Sequence, residues 1–320
     1  MQIDVLALDG VFDTGLSAVL DVFGTANELQ PGELPLRVRV VGVRRRVRTD
    51  RGFVVPVEPA DSGSPDVLIA PALGSKTPET LGAALDRRDV RDAVQLLAQR
   101  GATGARLAAA CTGTFLLAAS GALDGHKATT TWWLAPLFRR LHPQVELDES
   151  RMLVPSGAVV TAGAAFAHAD LALWLLRQAS PAAAALVARY LMIDARPSQG
   201  PYIIADHLAH ADPLIERFEH WARGRMALGF SLSDAARAIG TSERTLARRL
   251  HRVLGKTPLS YFQDLRIERA VHRLQTSRDS VDAIAAEVGY ADGVTLRTLL
   301  RRKLGRGVRE IRGRGGPGAA

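Results

Sequence analysis

SLSDAARAIGTSERTLARRLHRVL, residues 231–254, holds two short amphipathic helical patterns around Gly240-Thr241-Ser242. Ala235, Ala236 and Ile239 line one face of the first pattern. Leu246, Leu250 and Val253 line one face of the second, at spacings of four and three. Gly240 supplies the positive φ that a tight turn between them needs. Ser242 is placed to cap the second helix through its hydroxyl. That helix then turns Arg244, Arg248, Arg249 and Arg252 to its polar side. Helix, glycine turn and arginine-rich helix is the sequence form of a helix-turn-helix, whose second helix enters a DNA major groove. A solvated basic helix in a bundle has the same local pattern, so this stretch alone leaves both readings open.

The pattern returns downstream. SVDAIAAEVGYADGVTLRTLLRRKLG, residues 280–305, repeats the serine start, the alanine-rich short helix and the glycine turn. It then repeats Thr-Leu, a later leucine, clustered arginine and a closing Leu-Gly. Thr245-Leu246 matches Thr295-Leu296, Leu250 matches Leu300, and Gly255 matches Gly305. Between the copies, Pro258 can open a long helix running through Leu274. Two copies of one supersecondary unit in a single chain are far more specific than either alone, and they tip the reading to DNA binding.

Charge is distributed to match. Residues 1–205 carry 20 basic and 20 acidic side chains, whereas residues 206–320 carry 21 and 13, which accounts for the net charge of +8. A neutral part joined to a basic part fits a chain whose second half meets a polyanion. At 320 residues two or more domains are expected, and the 47% hydrophobic content is that of a water-soluble globular protein. One cysteine excludes an internal disulfide. No apolar run has the length of a membrane span, and no charged, apolar leader opens the chain, so a cytoplasmic location is expected.

The first half alternates short apolar strands with helices. Strands are expected at Ile3–Leu8, Arg37–Val43, Asp66–Ala70 and Arg106–Ala110, with shorter ones near residues 53–57, 145–147 and 159–160. Helices are expected over residues 16–29, 78–87, 89–100, 134–141 and 166–178. Such alternation gives a largely parallel sheet covered on both faces, an α/β domain. From Asp212 onward no strand is expected. The domain plan is therefore 1–193, a linker at 194–211, an all-α domain at 212–312 and a flexible tail at 313–320.

With these segments in view, residues 212–312 resemble the DNA-binding domain of the AraC/XylS regulators, through TSERTLARRLHRVLGKTPLSYFQDLRIERAVHRL and the second copy. Residues 1–190 resemble the ThiJ/PfpI family, a class I glutamine amidotransferase-like, flavodoxin-like fold. VFDTGLSAVLDVFGTANEL, DVLIAPALG, AAACTGTFLLAASGALDGHKATTTWW and VVTAGAAFAHADLAL carry that likeness. The pairing resembles the GlxA-type transcriptional regulators over nearly the whole chain. It implies double-stranded DNA as partner and a homodimer, and it leaves room for a small-molecule effector and for contact with RNA polymerase. It also implies two helix-turn-helix units on successive major-groove faces, about 34 Å apart. The resemblance puts base-reading positions at Arg244, Ala247 and Arg248 in the first unit and at Gly293, Val294, Arg297 and Thr298 in the second. Ser242, Thr245, Arg249, Arg252, Thr295, Arg301 and Arg302 complete the implied DNA-contacting set, with Lys303 close by.

Cys111 is the sharpest candidate for chemistry in the first half. It sits between a strand and a helix, an elbow in which a helix N-terminus can lower a thiol pKa. A cysteine hydrolase or amidase is therefore the competing reading. Position by position, however, Gly15 stands where active relatives carry a carboxylate, with Asp13 two residues away. Thr112 and Thr131 replace histidines that relatives carry. Asp13, Gly74, Cys111 and Thr112 are accordingly taken as ligand-binding candidates and no catalytic residue is assigned. His207 and His210 lack a third ligand nearby and no nucleotide-binding motif is present, so neither a metal nor a cofactor is implied. His168 and Asp170 read as interior polar groups on an apolar helix, and Trp132-Trp133 as packing.

Overall fold

A computed structural model describes residues 1–31, 35–203 and 212–313. The chain divides into two compact units, residues 1–199 and 200–320.

In the first unit β1 (Gln2–Leu6) leads to α1 (Asp13–Leu29), then β2 (Arg37–Gly42), the hairpin strands β3 (Arg46–Arg48) and β4 (Val54–Pro56), β5 (Glu58–Pro59) and β6 (Val67–Ala70). Two helices follow, α2 (Pro78–Leu85) and α3 (Arg88–Ala102). Next come β7 (Arg106–Ala110), α4 (Gly113–Ala119), β8 (Lys127–Ala128), α5 (Ala135–Leu141) and β9 (Glu146–Leu147). The antiparallel strands β10 (Leu153–Ser156) and β11 (Val159–Ala162) precede α6 (Ala167–Ala179) and α7 (Pro181–Tyr190).

The main sheet runs β10-β11-β7-β6-β1-β2-β5, and only β10 is antiparallel to its neighbour. Every residue of β6 and β11 is buried, because helices cover both faces. Strand alternation separates two cores. Ile3, Val5 and Ala7 face α1, α6 and α7, whereas Leu6 and Leu8 face the α2–α5 side. The sheet interior also holds an ion pair that the apolar strand pattern hides. Asp4 on β1 lies in register with Arg39 on β2, and the guanidinium meets the carboxylate through two bonds of 2.9 and 2.6 Å.

The boundary expected at 193 moves outward. Gln199 is 1% exposed, and its amide nitrogen donates to the Thr130 carbonyl at 2.8 Å while its oxygen accepts from the Ala164 N–H at 3.0 Å. The segment through Gln199 is thus built into the first unit. The remainder of the expected linker at 204–211, with His207 and His210, and the tail from 314 onward lie outside the described residues.

The second unit is helical throughout its described residues: α8 (Pro213–Arg223), α9 (Leu232–Ala238), α10 (Glu243–Leu254), α11 (Pro258–Thr276), α12 (Val281–Glu287), α13 (Gly293–Leu304) and α14 (Val308–Gly313). The long α11 serves both halves. Tyr261, Phe262 and Leu265 are buried toward its start. Ile267, Ala270 and Leu274 form a core with Val281, Ile284, Leu296 and Leu300.

Candidate functional site

Each helix-turn-helix is built from its caps. In the first, the Ser231 hydroxyl accepts the Asp234 N–H at 3.2 Å and starts α9. Gly240, at φ +71°, makes the turn, with its N–H on the Arg237 carbonyl at 3.2 Å. Ser242 then accepts the Thr245 N–H at 3.1 Å and starts α10. Leu246, Leu250 and Leu254 bury one face of α10. In the second, Ser280 caps α12 and the Asp292 carboxylate caps α13, taking the Thr295 N–H at 2.7 Å. Gly255 and Gly305, at φ +65° and +67°, end α10 and α13 alike.

The copies differ by one residue in the turn. Gly240 is followed by Thr241 and the cap, whereas Gly289 is followed by Tyr290, Ala291 and the cap. Gly289 is also hemmed in, since a Cβ there would lie 2.2 Å from the Met226 carbonyl oxygen and 2.4 Å from Arg266 Nη2. Arg266, on α11, is 9% exposed, donates to the Met226 carbonyl at 2.5 Å, and lies over the rings of Phe262 and Tyr290 at 4.6 and 5.4 Å. It joins the two halves of the unit. Sequence reading missed it, since nothing local marks one arginine among many as interior.

The expected DNA-contacting side chains divide into two groups. Arg244, Arg248 and Arg252 on α10 and Arg297, Arg301 and Arg302 on α13 are exposed and make no ion pair among the described residues. Arg249 departs from expectation. It is bound to Asp212, the 3% exposed cap of α8, so it fastens α10 to α8 rather than standing free on the polar face. Lys303 is held by Asp264, which also takes Lys256 at 3.0 Å. Ser242, Thr245 and Thr295 serve the helix starts, and Ala247 is half-buried.

At the strand–helix elbow of the first unit, Cys111 sits at φ +55°, a conformation that costs a non-glycine residue about 1–3 kcal/mol. It is fixed there by its N–H on the Ala162 carbonyl at 3.0 Å and by the Thr130 hydroxyl on its own carbonyl at 2.7 Å. Gly113 lets the helix start press against β6, since a Cβ would stand 2.2 Å from the Ala70 carbonyl oxygen. Cys111 is 5% exposed, and burial pushes its thiol pKa up against the Ala165 and Thr112 backbone and the charge of Lys76. The lowering that the helix start led us to expect is outweighed by desolvation.

The other candidates are already engaged. Asp13 accepts the Thr49 hydroxyl at 2.5 Å and the Arg51 N–H at 3.1 Å. The Thr112 hydroxyl donates to the Leu73 carbonyl at 2.8 Å. Gly74 donates its N–H to the Gly10 carbonyl at 2.7 Å, and Asp50 fills the space a side chain would need, with Cγ 2.1 Å from the Cβ position. At Gly15, the position where the resemblance implies an acid, a Cβ would stand 2.7 Å from Nε2 of His168. His168 is fully buried and neutral. Its Nδ1–H faces the Ala165 carbonyl, its Nε2 accepts the Ala72 N–H at 3.0 Å, and desolvation lowers its pKa to about 4. An imidazole thus fills the space beside Gly15, locked as an acceptor of a backbone proton. Beside this cluster, at the carboxyl ends of β1 and β6, an open pocket of about 480 Å³ is lined by Gly10, Asp50, Gly74, Ser75, Lys76 and Arg87 among others.

Comparison with known proteins reflects this two-part build. A DJ-1/PfpI family model matches residues 1–178 and a helix-turn-helix domain model matches residues 235–314. The transcriptional regulator GbdR of Pseudomonas aeruginosa is 22% identical over 293 residues, 90% of this chain and 78% of that protein. The transcriptional activator RhaS of Escherichia fergusonii is 37% identical over 103 residues, 32% of this chain, and the match spans only 37% of RhaS. The solved structure of an AraC family transcriptional regulator from Pseudomonas putida matches 59% of this chain and 98% of its own with a TM-score of 0.51 at 19% identity, a likeness of fold.

Proposed function

The chain belongs to the DJ-1/PfpI family, and from that premise we propose that it is a sequence-specific DNA-binding transcriptional regulator, its first unit a non-catalytic sensor or dimerisation domain. One observation carries this reading: two capped helix-turn-helix units in one chain, each presenting exposed arginines with no ion pair among the described residues. Arg244 and Arg248 are one turn apart at the start of α10, where a guanidinium can donate two bonds to guanine O6 and N7, worth about 1–3 kcal/mol of base discrimination. Arg252, Arg301 and Arg302 lie further along their helices, where phosphates are met.

At the elbow, a thiol with a raised pKa, no adjacent carboxylate and a neutral histidine already bonded on both nitrogens supports binding or structure over hydrolysis. The effector site we assign is the pocket lined by Gly10, Gly74, Lys76 and Arg87. It lies at the crevice outside the carboxyl ends of β1 and β6, where the strand order reverses and ligands bind in sheets of this kind. Homodimerisation would set two such DNA-binding units on adjacent sites, and contact with RNA polymerase would follow from a cytoplasmic regulator's task. No helix among the described residues is long and apolar enough to cross a membrane.

The test is a salt titration of the full chain on sites selected from a random library, against unselected DNA. A regulator shows a specificity ratio of at least about 10³. Equal affinity for both at every salt concentration would exclude the reading. In the same assay Cys111→Ser should bind DNA as the parent does. Sedimentation equilibrium at micromolar concentration decides the dimer.

A further inference from the structure

Counted from their caps, Ser242 and Asp292, the two recognition helices align without a gap: Leu246 with Leu296, Leu250 with Leu300, Gly255 with Gly305. The exposed positions Arg244 and Arg248 therefore correspond to Val294 and Thr298. Where the first helix presents two guanidinium groups, the second presents two small branched side chains. Val294 is 66% exposed, which no packing demand of the unit explains. Thr298 is exposed too, but its hydroxyl turns back to donate to the Val294 carbonyl at 3.0 Å. That bond spends its only donor on the helix backbone. That leaves the γ-methyl, on the other branch of the same carbon, as the side-chain group of an exposed residue that no hydrogen bond engages.

Residues four apart share a helix face, so the start of α13 offers a continuous patch of methyl groups. Arg297 flanks this patch, but the two residues before the patch add no polar reader. Gly293 is buried and cannot carry a side chain, since a Cβ would lie 2.9 Å from Asp282 Oδ1, which accepts the Gly293 N–H at 2.8 Å. The Asp292 carboxylate is engaged by the Thr295 N–H at 2.7 Å. The major groove carries one apolar feature that such a patch can match, the C5 methyl of thymine.

We propose that Val294 and Thr298 read thymine through its C5 methyl in the half-site of the second helix-turn-helix. The proposal rests on the DNA-binding reading given above. It divides the labour between the copies: the first unit recognises guanine through Arg244 and Arg248, the second recognises thymine by contact, and Arg297 beside it reaches a neighbouring base or phosphate.

Replacing thymine by deoxyuridine removes that methyl and leaves base pairing intact. On sites selected with the full chain, each thymine is replaced in turn and affinity is read by fluorescence anisotropy. At one or two positions the loss of the methyl should weaken binding about fourfold, the share of one buried methyl group. Val294→Ala should lose this sensitivity at its position. Thr298→Ser, which keeps the hydroxyl bond and removes the methyl, should lose it as well, whereas Thr298→Val, which keeps the methyls and removes the hydroxyl, should retain it. Thymine and deoxyuridine sites that bind the parent chain equally, while still outcompeting random DNA, overturn the thymine assignment and leave the regulator reading standing. Sensitivity that survives unchanged in both Val294→Ala and Thr298→Ser also overturns it. A library yielding no enriched site overturns the DNA-binding reading, and this assignment with it.

Discussion

His168 is held in the form that makes the elbow work as structure. Its folded pKa of about 4 lies below the ordinary 6.5, so the unfolded chain binds more protons between those two values. Stability from this residue is fully present above pH 6.5 and is lost as pH falls toward 4, by about 3 kcal/mol in all. Urea melts of the full chain at steps across that window should show a fall that His168→Gln, which has no ring to protonate, lacks. An unchanged pH slope in that variant would assign the effect to other groups. Asp292 invites a second test at this scale. Its carboxyl is held below the ordinary carboxylate range by the backbone N–H of Thr295, so it is charged at neutral pH at the start of α13, the end proposed above to meet DNA. Asparagine caps as well as aspartate. Asp292→Asn should therefore keep the helix and raise affinity for specific and random DNA alike by about twofold, the screened repulsion of one charge roughly 8 Å from a phosphate. Equal affinities at low salt would place Asp292 away from the backbone.

At the scale of elements, the two glycine turns are the same motif under different constraint. Gly240 needs only its positive φ, since a Cβ would meet nothing within 4 Å. Gly289 needs its φ of +80° and also the room in which Arg266 reaches Met226. Gly240→Ala should cost about 1–2 kcal/mol, the left-handed penalty alone. Gly289→Ala should cost clearly more and should loosen Arg266. Equal losses in denaturant melts would show that the Arg266 contact yields freely. Much of this build was legible beforehand. The helix repeat announces itself through apolar residues three and four apart and through serine and glycine at fixed offsets, all local signals. The parallel strands were legible as apolar runs because both sheet faces are covered. The short strands β3, β8 and β10 were not read from the sequence, although β9, equally short, was. What sequence reading missed depends on contact across distance in the chain: His168 in the space at Gly15, Gln199 closing on Thr130, Arg249 turned to Asp212. Local periodicity put Arg249 on the polar arc correctly, but it could not show that a buried carboxylate waits there.

For the molecule as a whole, the basic excess of residues 206–320 is not all available to DNA. Arg249 and Lys303 are tied to Asp212 and Asp264, and Arg269 and Arg273 are tied to Glu287 at 3.1 and 2.8 Å. Arg244, Arg248, Arg252, Arg297, Arg301 and Arg302 make no ion pair among the described residues. If Arg252, Arg297, Arg301 and Arg302 neutralise phosphates while Arg244 and Arg248 read bases, the plot of log affinity against log salt should have a slope of about −3.6. The two classes of arginine then separate cleanly. Arg301→Ala should flatten the slope by about 1, weaken binding to every sequence and leave base preference unchanged. Arg244→Ala should relax base preference at the first half-site. Arg249→Ala should leave the slope where it was and instead lower folding stability by about 1 kcal/mol, a modest figure because Arg249 is 42% exposed and water screens the pair. A slope that falls as far with Arg249→Ala as with Arg301→Ala would mean that Asp212 releases Arg249 on binding, and that the charge holding α10 in place is the same charge that meets the DNA.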